Sequence, residues 1–297
     1  MASASEQLAA NMNLGTFAKA KELQQRLLFT LLILVVYRIG TYIPIPGIDL
    51  AVFQANFASN GGGLIGRMSI FSGGAVERMA VFALNVMPYI SASIIMTLMK
   101  GSIPTLKELD KDGEQGRKQI NQYTRYLTVF LAAFQAFGIS RALGASGAVI
   151  SPGLFFDAST VITLVGGTMF LMWLGEQVTA RGVGNGVSLI IAAGIVAELP
   201  RAIFQVLDLN RTGSLSGLLL MGVIVLFVAL SFLIVFVERA QRRLLVQYPK
   251  RQMAGGKQFG GESSFMPLKL NTAGVIPPIF ASSLLLLPAT AGQIMLS

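Results

Sequence analysis

The sequence of 297 residues contains no cysteine and no histidine, and only 12% of its residues are charged. Without thiols and imidazoles, the chain offers no thiolate nucleophile, no imidazole base, no disulfide and few of the ligands that zinc and haem require. Catalysis would have to rest on carboxylates, hydroxyls or lysines. We therefore expect a protein that is not an enzyme and that has no cofactor and no metal site.

Hydrophobic residues make up 53% of the chain, and the mean hydropathy is +0.66. These values are typical of polytopic membrane proteins. A membrane-spanning helix needs about 20 apolar residues, and seven segments approach this length. They are Leu27 to Ile43, Met79 to Met99, Tyr126 to Ile139, Phe155 to Leu174, Val187 to Leu199, Leu215 to Val237 and Ala273 to Met295. Pro200 interrupts the fifth segment, and three prolines kink the seventh. We predict an all-α polytopic membrane protein with about seven transmembrane helices.

A short apolar segment between the first two spans is flanked by glycines. It runs from Leu64 to Gly74 and follows Gly61-Gly62-Gly63. As a helix it would extend roughly 16 Å, whereas the hydrocarbon core is about 30 Å thick, so it cannot cross the membrane. Irregular backbone at membrane depth must be buried in protein or line a water-filled cavity, because lipid cannot satisfy its amides. We interpret the segment as a half-inserted plug, with an amphipathic loop at the interface as the alternative.

Lysine and arginine are concentrated in four segments, which are residues 1–26 and the loops 100–125, 175–186 and 238–271. Positive charge on short loops marks the cytoplasmic side, so we predict a cytoplasmic N-terminus. The loop 238–271 opens with a basic run that contains Arg239, Arg242 and Arg243. This run is either an anchor to anionic lipid headgroups or an electrostatic dock for a phosphate-rich or acidic partner.

Two other patterns bear on the class of function. The glycine-rich run Gly182-Val183-Gly184-Asn185-Gly186 follows a span rather than a strand and has no acidic ribose partner downstream, so it does not indicate nucleotide binding. The acids nearest to the spans, Asp157, Glu176 and Glu198, lie at span ends, so the chain has no evident proton relay. A secondary transporter of a small solute, which would also use broken helices, is the alternative function.

Within the second span, Val86 and Ile90 lie four residues apart and share one helix face, while Asn85, Ser91 and Thr97 place small polar groups on other faces. Taken alone, this spacing favours ordinary helix packing. An intramembrane protease is a further alternative, but the sequence has no paired aspartates within its spans and no convincing serine nucleophile.

Long motifs in a consistent order resemble the SecY family, the channel-forming subunits of the bacterial Sec protein translocase. The resemblance extends over nearly the whole chain. It is carried by Arg38-Ile39-Gly40, Ile43 to Gly47, Phe71 to Ala75, Met87 to Ile95, Gln122 to Tyr126, Trp173 to Gln177, Gly182 to Gly186, Val237 to Arg243 and Gly274 to Pro277. Members of the family have ten spans in two inverted halves, and the last three spans have no counterpart in this sequence.

The resemblance implies a single transmembrane channel domain over 1–297, with a clamshell of helices around an hourglass-shaped pore. The first half would be 27–214, with spans one to five and a short plug helix at 64–78, after a cytoplasmic N-terminus at 1–26. The second half would begin at 215–297, with spans six and seven and the basic cytoplasmic loop 238–271. Such a channel translocates unfolded polypeptides across the bacterial plasma membrane and releases membrane proteins laterally into it.

The resemblance also implies roles for individual residues. The pore constriction would consist of Val86, Ile90, Ile191 and Ile279. The plug would include Leu64, Ile65, Met68, Ile70, Phe71, Gly73 and Gly74. The lateral gate, between spans two, three and seven, would carry Ser91, Gln135 and Asn271. Ribosome or motor docking would involve Arg239, Arg242, Arg243, Lys250 and Arg251. The implied partners are the SecE and SecG subunits, the SecA motor ATPase, the ribosome through its rRNA, secretory and membrane preproteins, and anionic lipids.

Overall fold

The computed structural model describes residues 21–59, 72–213, 216–246 and 264–271. The helices in these ranges are α1 (Lys21–Gly40), α2 (Leu50–Ser59), α3 (Met87–Ser102), α4 (Pro104–Lys111), α5 (Glu114–Ala145), α6 (Leu154–Arg181), α7 (Gly186–Arg211) and α8 (Gly217–Arg239). Two strands follow, β1 (Gln241–Val246) and β2 (Ser264–Lys269). Among these residues, one compact unit ends at Arg201 and a second begins at Ala202.

Five of these helices are long and apolar enough to cross a membrane, namely α1, α5, α6, α7 and α8. They correspond to the predicted spans one, three, four, five and six. Several of them extend beyond the predicted bounds. α1 begins at Lys21, α5 begins at Glu114, α6 ends at Arg181 and α7 ends at Arg211. The prediction of a helical, multi-pass protein is confirmed, while the predicted seventh span, Ala273 to Met295, lies outside the described residues.

The second predicted span begins later than expected. Its helix, α3, starts at Met87, and residues 72–86 form a series of turns instead of a helix from Met79. Met79 and Asn85 have positive φ angles of 41° and 51°, so the placement of Asn85 on a helix face was wrong. Pro88 explains the boundary, because proline is tolerated in the first turn of a helix, where its missing amide leaves no hydrogen bond unmade.

The backbone of the turn segment 72–86 is satisfied by the proline-rich segment after α1. The amide of Ile45 donates to the carbonyl of Met79 at 2.9 Å, and the amide of Val81 donates to the carbonyl of Ile43 at 2.9 Å. Most side chains of the turn segment are buried. Irregular backbone is therefore paired and enclosed by protein, which is the condition for its presence at membrane depth.

The predicted interruption at Pro200 was also wrong, because α7 passes through this residue and ends at Arg211. A proline inside a helix removes one backbone hydrogen bond, and it can bend a helix without ending it. The first compact unit ends at Arg201, one residue after the proline that removes this hydrogen bond.

The basic loop predicted at 238–271 contains a two-stranded antiparallel sheet, which is a departure from a purely helical fold. β1 begins two residues after α8 ends and pairs with β2, so that Gln241 faces Lys269. Neither strand alternates polar and apolar residues, and Pro267 lies within β2. A proline is tolerated because each strand of a two-stranded sheet has a free edge.

Two hydrophobic clusters form the core of the first unit. One joins α2, α5, α6 and the turn segment 72–86, and its largest buried side chains include Ile45, Leu84 and Leu164. The other joins α1, the same turn segment, α6 and the start of α7. It contains Ile33, Tyr37, Phe82, Val86, Leu171, Leu174, Val178 and Ile190.

Candidate functional site

The second cluster brings together three of the four predicted constriction residues. Val86 lies in its interior with an exposed fraction of 0%, and Ile90 and Ile191 pack against it as partly buried side chains. Ile279 lies outside the described residues. We refer to Val86, Ile90 and Ile191 as the neck residues.

The start of α3 sets the positions of the first two neck residues. The side-chain oxygen of Asn85 accepts a hydrogen bond from the amide of Val86 at 2.9 Å, and the amide of Ile90 donates to the carbonyl of Val86 at 3.1 Å. Val86 and Ile90 are therefore one helical turn apart on one face. The cluster around them is aliphatic and aromatic.

A row of stacked aromatic rings lies beside the neck residues. The ring centroids of Tyr37 and Phe82 are 6.2 Å apart, those of Phe82 and Phe170 are 6.1 Å apart, and those of Phe170 and Trp173 are 5.9 Å apart. The row connects α1 to α6 through the turn segment 72–86. Phe82 also fills the space beside Gly40, where any side chain would collide with its ring. This row was missed at the sequence level, because its members are far apart along the chain.

The predicted plug is described only at its end. Gly73 and Gly74 have left-handed φ angles of 64° and 76°, which favour glycine. The remaining predicted plug residues lie outside the described ranges, and they are Leu64, Ile65, Met68, Ile70 and Phe71. We refer to Gly73 and Gly74 as the hinge glycines.

The predicted gate residues Ser91 and Gln135 are both buried, with exposed fractions of 5% and 4%. They lie on α3 and α5, which pack against each other. The Ser91 hydroxyl donates to the carbonyl of Met87 at 3.1 Å. The third residue, Asn271, belongs to the second unit, where its side-chain amide donates to Glu238 at 3.1 Å.

The glycine-rich run 182–186 allows close packing between helices. Any side chain at Gly186 would collide with the carbonyl oxygen of Gly175 on α6, and one at Gly182 would lie 2.5 Å from the Thr30 hydroxyl oxygen on α1. The amide of Val183 donates to the same hydroxyl at 3.2 Å. The run therefore joins α1, α6 and α7, which gives it a role in packing.

The acids at the span ends are paired with arginines. Glu176 accepts two hydrogen bonds from Arg125, at 2.7 and 2.8 Å, which connect α5 to α6. Asp157 lies 3.8 Å from Arg141, and Glu198 also has arginine partners. Carboxylates fixed in ion pairs connect helices and do not resemble a chain of proton carriers.

Of the predicted docking residues, Arg239, Arg242 and Arg243 are described, and all three are exposed. Arg239 is in the last turn of α8, and Arg242 and Arg243 are consecutive in β1. Because successive side chains of a strand point to opposite faces, these two arginines lie on opposite faces of the hairpin. Lys250 and Arg251 lie outside the described residues.

Comparisons with known proteins agree with this architecture. The family model named SecY matches residues 80–297. The protein translocase subunit SecY of Rickettsia conorii is 54% identical over 274 residues, which are 91% of this chain and 63% of the relative. The subunit of the same name from Escherichia coli K12 is 54% identical over 273 residues, with 91% of this chain and 61% of the relative covered. The chain thus spans less than two thirds of the length of these relatives.

Solved structures show the same fold. A structure titled "The structure of a protein conducting channel" aligns with a TM-score of 0.59 at 20% identity, over 91% of this chain and 58% of that one. Sec61 in a canine ribosome-channel complex aligns with a TM-score of 0.56 at 22% identity, over 91% and 59% of the two chains. The family match and the helical fold lead to one conclusion: this chain belongs to the SecY family.

Proposed function

We propose that this chain forms the greater part of the central subunit of a protein-conducting channel, which translocates unfolded polypeptides and releases membrane proteins laterally. The observation that supports this most directly is the apolar cluster around Val86, Ile90 and Ile191 in a member of the SecY family. Val86, Ile90 and Ile191 come from two separate helical regions and meet in a single cluster of aliphatic and aromatic side chains.

An apolar neck suits a channel whose substrates vary in sequence. A passing polypeptide finds no fixed polar partner from which it would have to be released, while the closed neck holds back ions because water leaves it. In this proposal Ile279 completes the ring, and the segment 64–78 plugs it from one side. Ser91, Gln135 and Asn271 form the polar cluster of the lateral gate.

The proposed partners follow from the same assignment. They are SecE and SecG, the SecA motor, ribosomes, preproteins and anionic lipids. Contact with ribosome or motor would use Arg239, Arg242, Arg243, Lys250 and Arg251. The basic hairpin supports this, because Arg242 and Arg243 are exposed and Lys269 lies beside them in the sheet register. Such contacts are electrostatic and weaken with salt.

A secondary transporter of a small solute gains no support from the matched family. In the first unit, the carboxylates at the span ends are paired with arginines, whereas ion-coupled transport needs groups that bind and release the coupling ion.

Reconstitution of the full-length protein tests the proposal. Proteoliposomes with SecE, SecG, SecA and ATP should protect a labelled secretory precursor from external protease. A double variant, Ile90→Asn with Ile191→Asn, should also admit a precursor with a defective signal sequence, because a polar neck destabilises the closed state. Val225→Asn, at an exposed position of α8, is the matched control and should retain selectivity. Failure of the parent protein to protect any precursor, with ion-driven uptake of a small solute instead, would contradict the proposal.

The proposed location is the bacterial plasma membrane, with the N-terminus in the cytoplasm. The absence of native cysteine allows single cysteines to report topology. Asp112 and Ser151 are exposed positions in two different loops. Ser151→Cys should react with an impermeant maleimide in intact spheroplasts, and Asp112→Cys should react only after permeabilisation. The reverse pattern would invert the orientation.

A further inference from the structure

The carbonyl oxygen of Gly73, at the end of the predicted plug, accepts hydrogen bonds from two arginines. Arg38 on α1 donates through Nη1 at 2.9 Å, and Arg78 donates through Nη2 at 3.0 Å. Both guanidinium groups also lie over the ring of Tyr42, at 5.0 and 4.3 Å from its centroid. Two cations that share one carbonyl and one ring repel each other, so the arrangement requires negative charge nearby.

Two carboxylates supply this charge. Glu198 on α7 lies 3.6 Å from Arg78 and 3.8 Å from Arg201, and Arg201 donates to Glu77 at 2.6 Å. The side chains of Glu198, Arg78 and Glu77 have exposed fractions of 21%, 25% and 31%. Partial burial leaves these charges less screened than fully exposed ion pairs.

The two hinge glycines fit this network closely. A Cβ atom at Gly74 would lie 2.5 Å from both the Arg78 guanidinium and the Glu198 carboxylate. A Cβ atom at Gly73 would lie 3.0 Å from the Cα atom of Gly194 on α7. The hinge therefore contacts α7 directly through its backbone, and the charged side chains close around it.

We propose that Glu77, Arg78, Glu198 and Arg201 form an ion-pair latch. Together with the hydrogen bond from Arg38 to the Gly73 carbonyl, the latch holds the hinge Gly73-Gly74 between α1 and α7. The latch is a positioning device, since its residues lie outside the neck cluster. Gly73 and Gly74 have left-handed backbone, and the paired, buried turn segment follows them in the chain. Breaking the latch frees the hinge while the turn segment keeps its backbone bonds to the segment after α1. In the proposed channel, where the segment 64–78 is the plug, freeing this end of the segment raises ion leak.

Hydrogen exchange in the full-length protein, in lipid nanodiscs, tests the latch without any assay of transport. Glu198→Gln removes the ion pairs with Arg78 and Arg201, and Arg201→Gln removes the charged hydrogen bond to Glu77. Each should raise amide exchange in peptides from 72–86 by about 5-fold to 10-fold, since an interaction that restrains local opening is lost. Asp157→Asn is the control, because it removes a carboxylate paired with Arg141 away from the hinge. It should leave exchange in 72–86 unchanged.

A charge exchange separates the latch from a general loss of stability. Glu77→Arg and Arg201→Glu should each raise exchange at the hinge. The double variant should recover part of the protection, because the 77–201 pair is restored with reversed polarity while the contact between positions 198 and 201 is not. Equal exchange in all variants, or a rise in every peptide with no recovery in the double variant, would overturn the latch.

A second readout rests on the proposed channel function. In planar bilayers, Glu198→Gln should raise ion leak about 5-fold to 10-fold over the parent protein, in line with the exchange result. Raised exchange without raised leak would support the latch and contradict the channel, whereas unchanged exchange would contradict the latch alone.

Discussion

Replacement of Val86 by asparagine is expected to open the channel more than any other single change at the neck. Val86 has an exposed fraction of 0% and is surrounded by the buried side chains of the second cluster. Ile90 and Ile191 lie at the edge of that cluster and are only partly buried. An amide group at position 86 would therefore be enclosed by apolar atoms in the closed state and hydrated in the open state.

The burial of Val86 sets the size of the expected shift from the closed to the open state. An amide buried without a hydrogen-bond partner costs about 1 to 3 kcal/mol, and this cost applies only to the closed state. A difference of about 1 to 3 kcal/mol shifts a two-state equilibrium by about 5-fold to 150-fold. For Ile90→Asn and Ile191→Asn we expect smaller shifts, because these side chains are only partly buried and an amide there loses less of its hydration.

Single-channel recording in planar bilayers, with the full-length protein, measures these shifts as open probability without substrate. Val225→Asn makes the same chemical change at a side chain that is 62% exposed on α8, so it should not alter the open probability. Equal leak in Val86→Asn and Val225→Asn would refute the reasoning. Val86 would then be a packing residue, and the neck would have to be sought elsewhere.

Three further predictions concern other parts of the chain. Gly186→Ala should lower the free energy of unfolding by about 1 to 3 kcal/mol, because the added methyl group collides with α6, while Gly166→Ala has open space and should be neutral in thermal unfolding. Arg242 and Arg243 lie on opposite faces of the hairpin. In co-sedimentation with ribosomes at low salt, one of the reversals Arg242→Glu and Arg243→Glu should therefore weaken binding more than the other. Unchanged binding in both would leave a role in lipid anchoring. Deletion of residues 64–71 should raise ion leak with normal assembly, and unchanged conductance would favour an interfacial loop.

Hydropathy alone predicted most of the transmembrane helices, because long apolar runs in a membrane have few alternatives to helix. Hydropathy did not predict the helix bounds at places where single residues determine the backbone conformation. Pro88 was the available signal for the late start of α3, since proline belongs in the first turn of a helix. The left-handed conformation of Met79 had no comparable signal, because its carbonyl is fixed by Ile45, which is distant in the chain.

Part of the candidate site could likewise be predicted from the sequence, and part could not. The spacing of Val86 and Ile90 favoured ordinary packing, and only the family resemblance pointed to Ile191 as their neighbour. The latch was not predictable, because Arg201 and Glu77 are separated by 124 positions and only the fold brings them together. The hairpin after α8 was missed because both of its faces are exposed, so its strands carry no alternating pattern.

The central claim is that polypeptide passes between the neck residues, and site-specific photocrosslinking tests it most directly. A photoreactive amino acid is placed at Ile90, at Ile191 or, as the control, at Val225 in the full-length protein. A secretory precursor is then stalled during translocation. We expect crosslinks to the stalled chain from positions 90 and 191 and none from position 225. Crosslinks from position 225 alone, or from none of the three positions while the precursor is stalled, would contradict it.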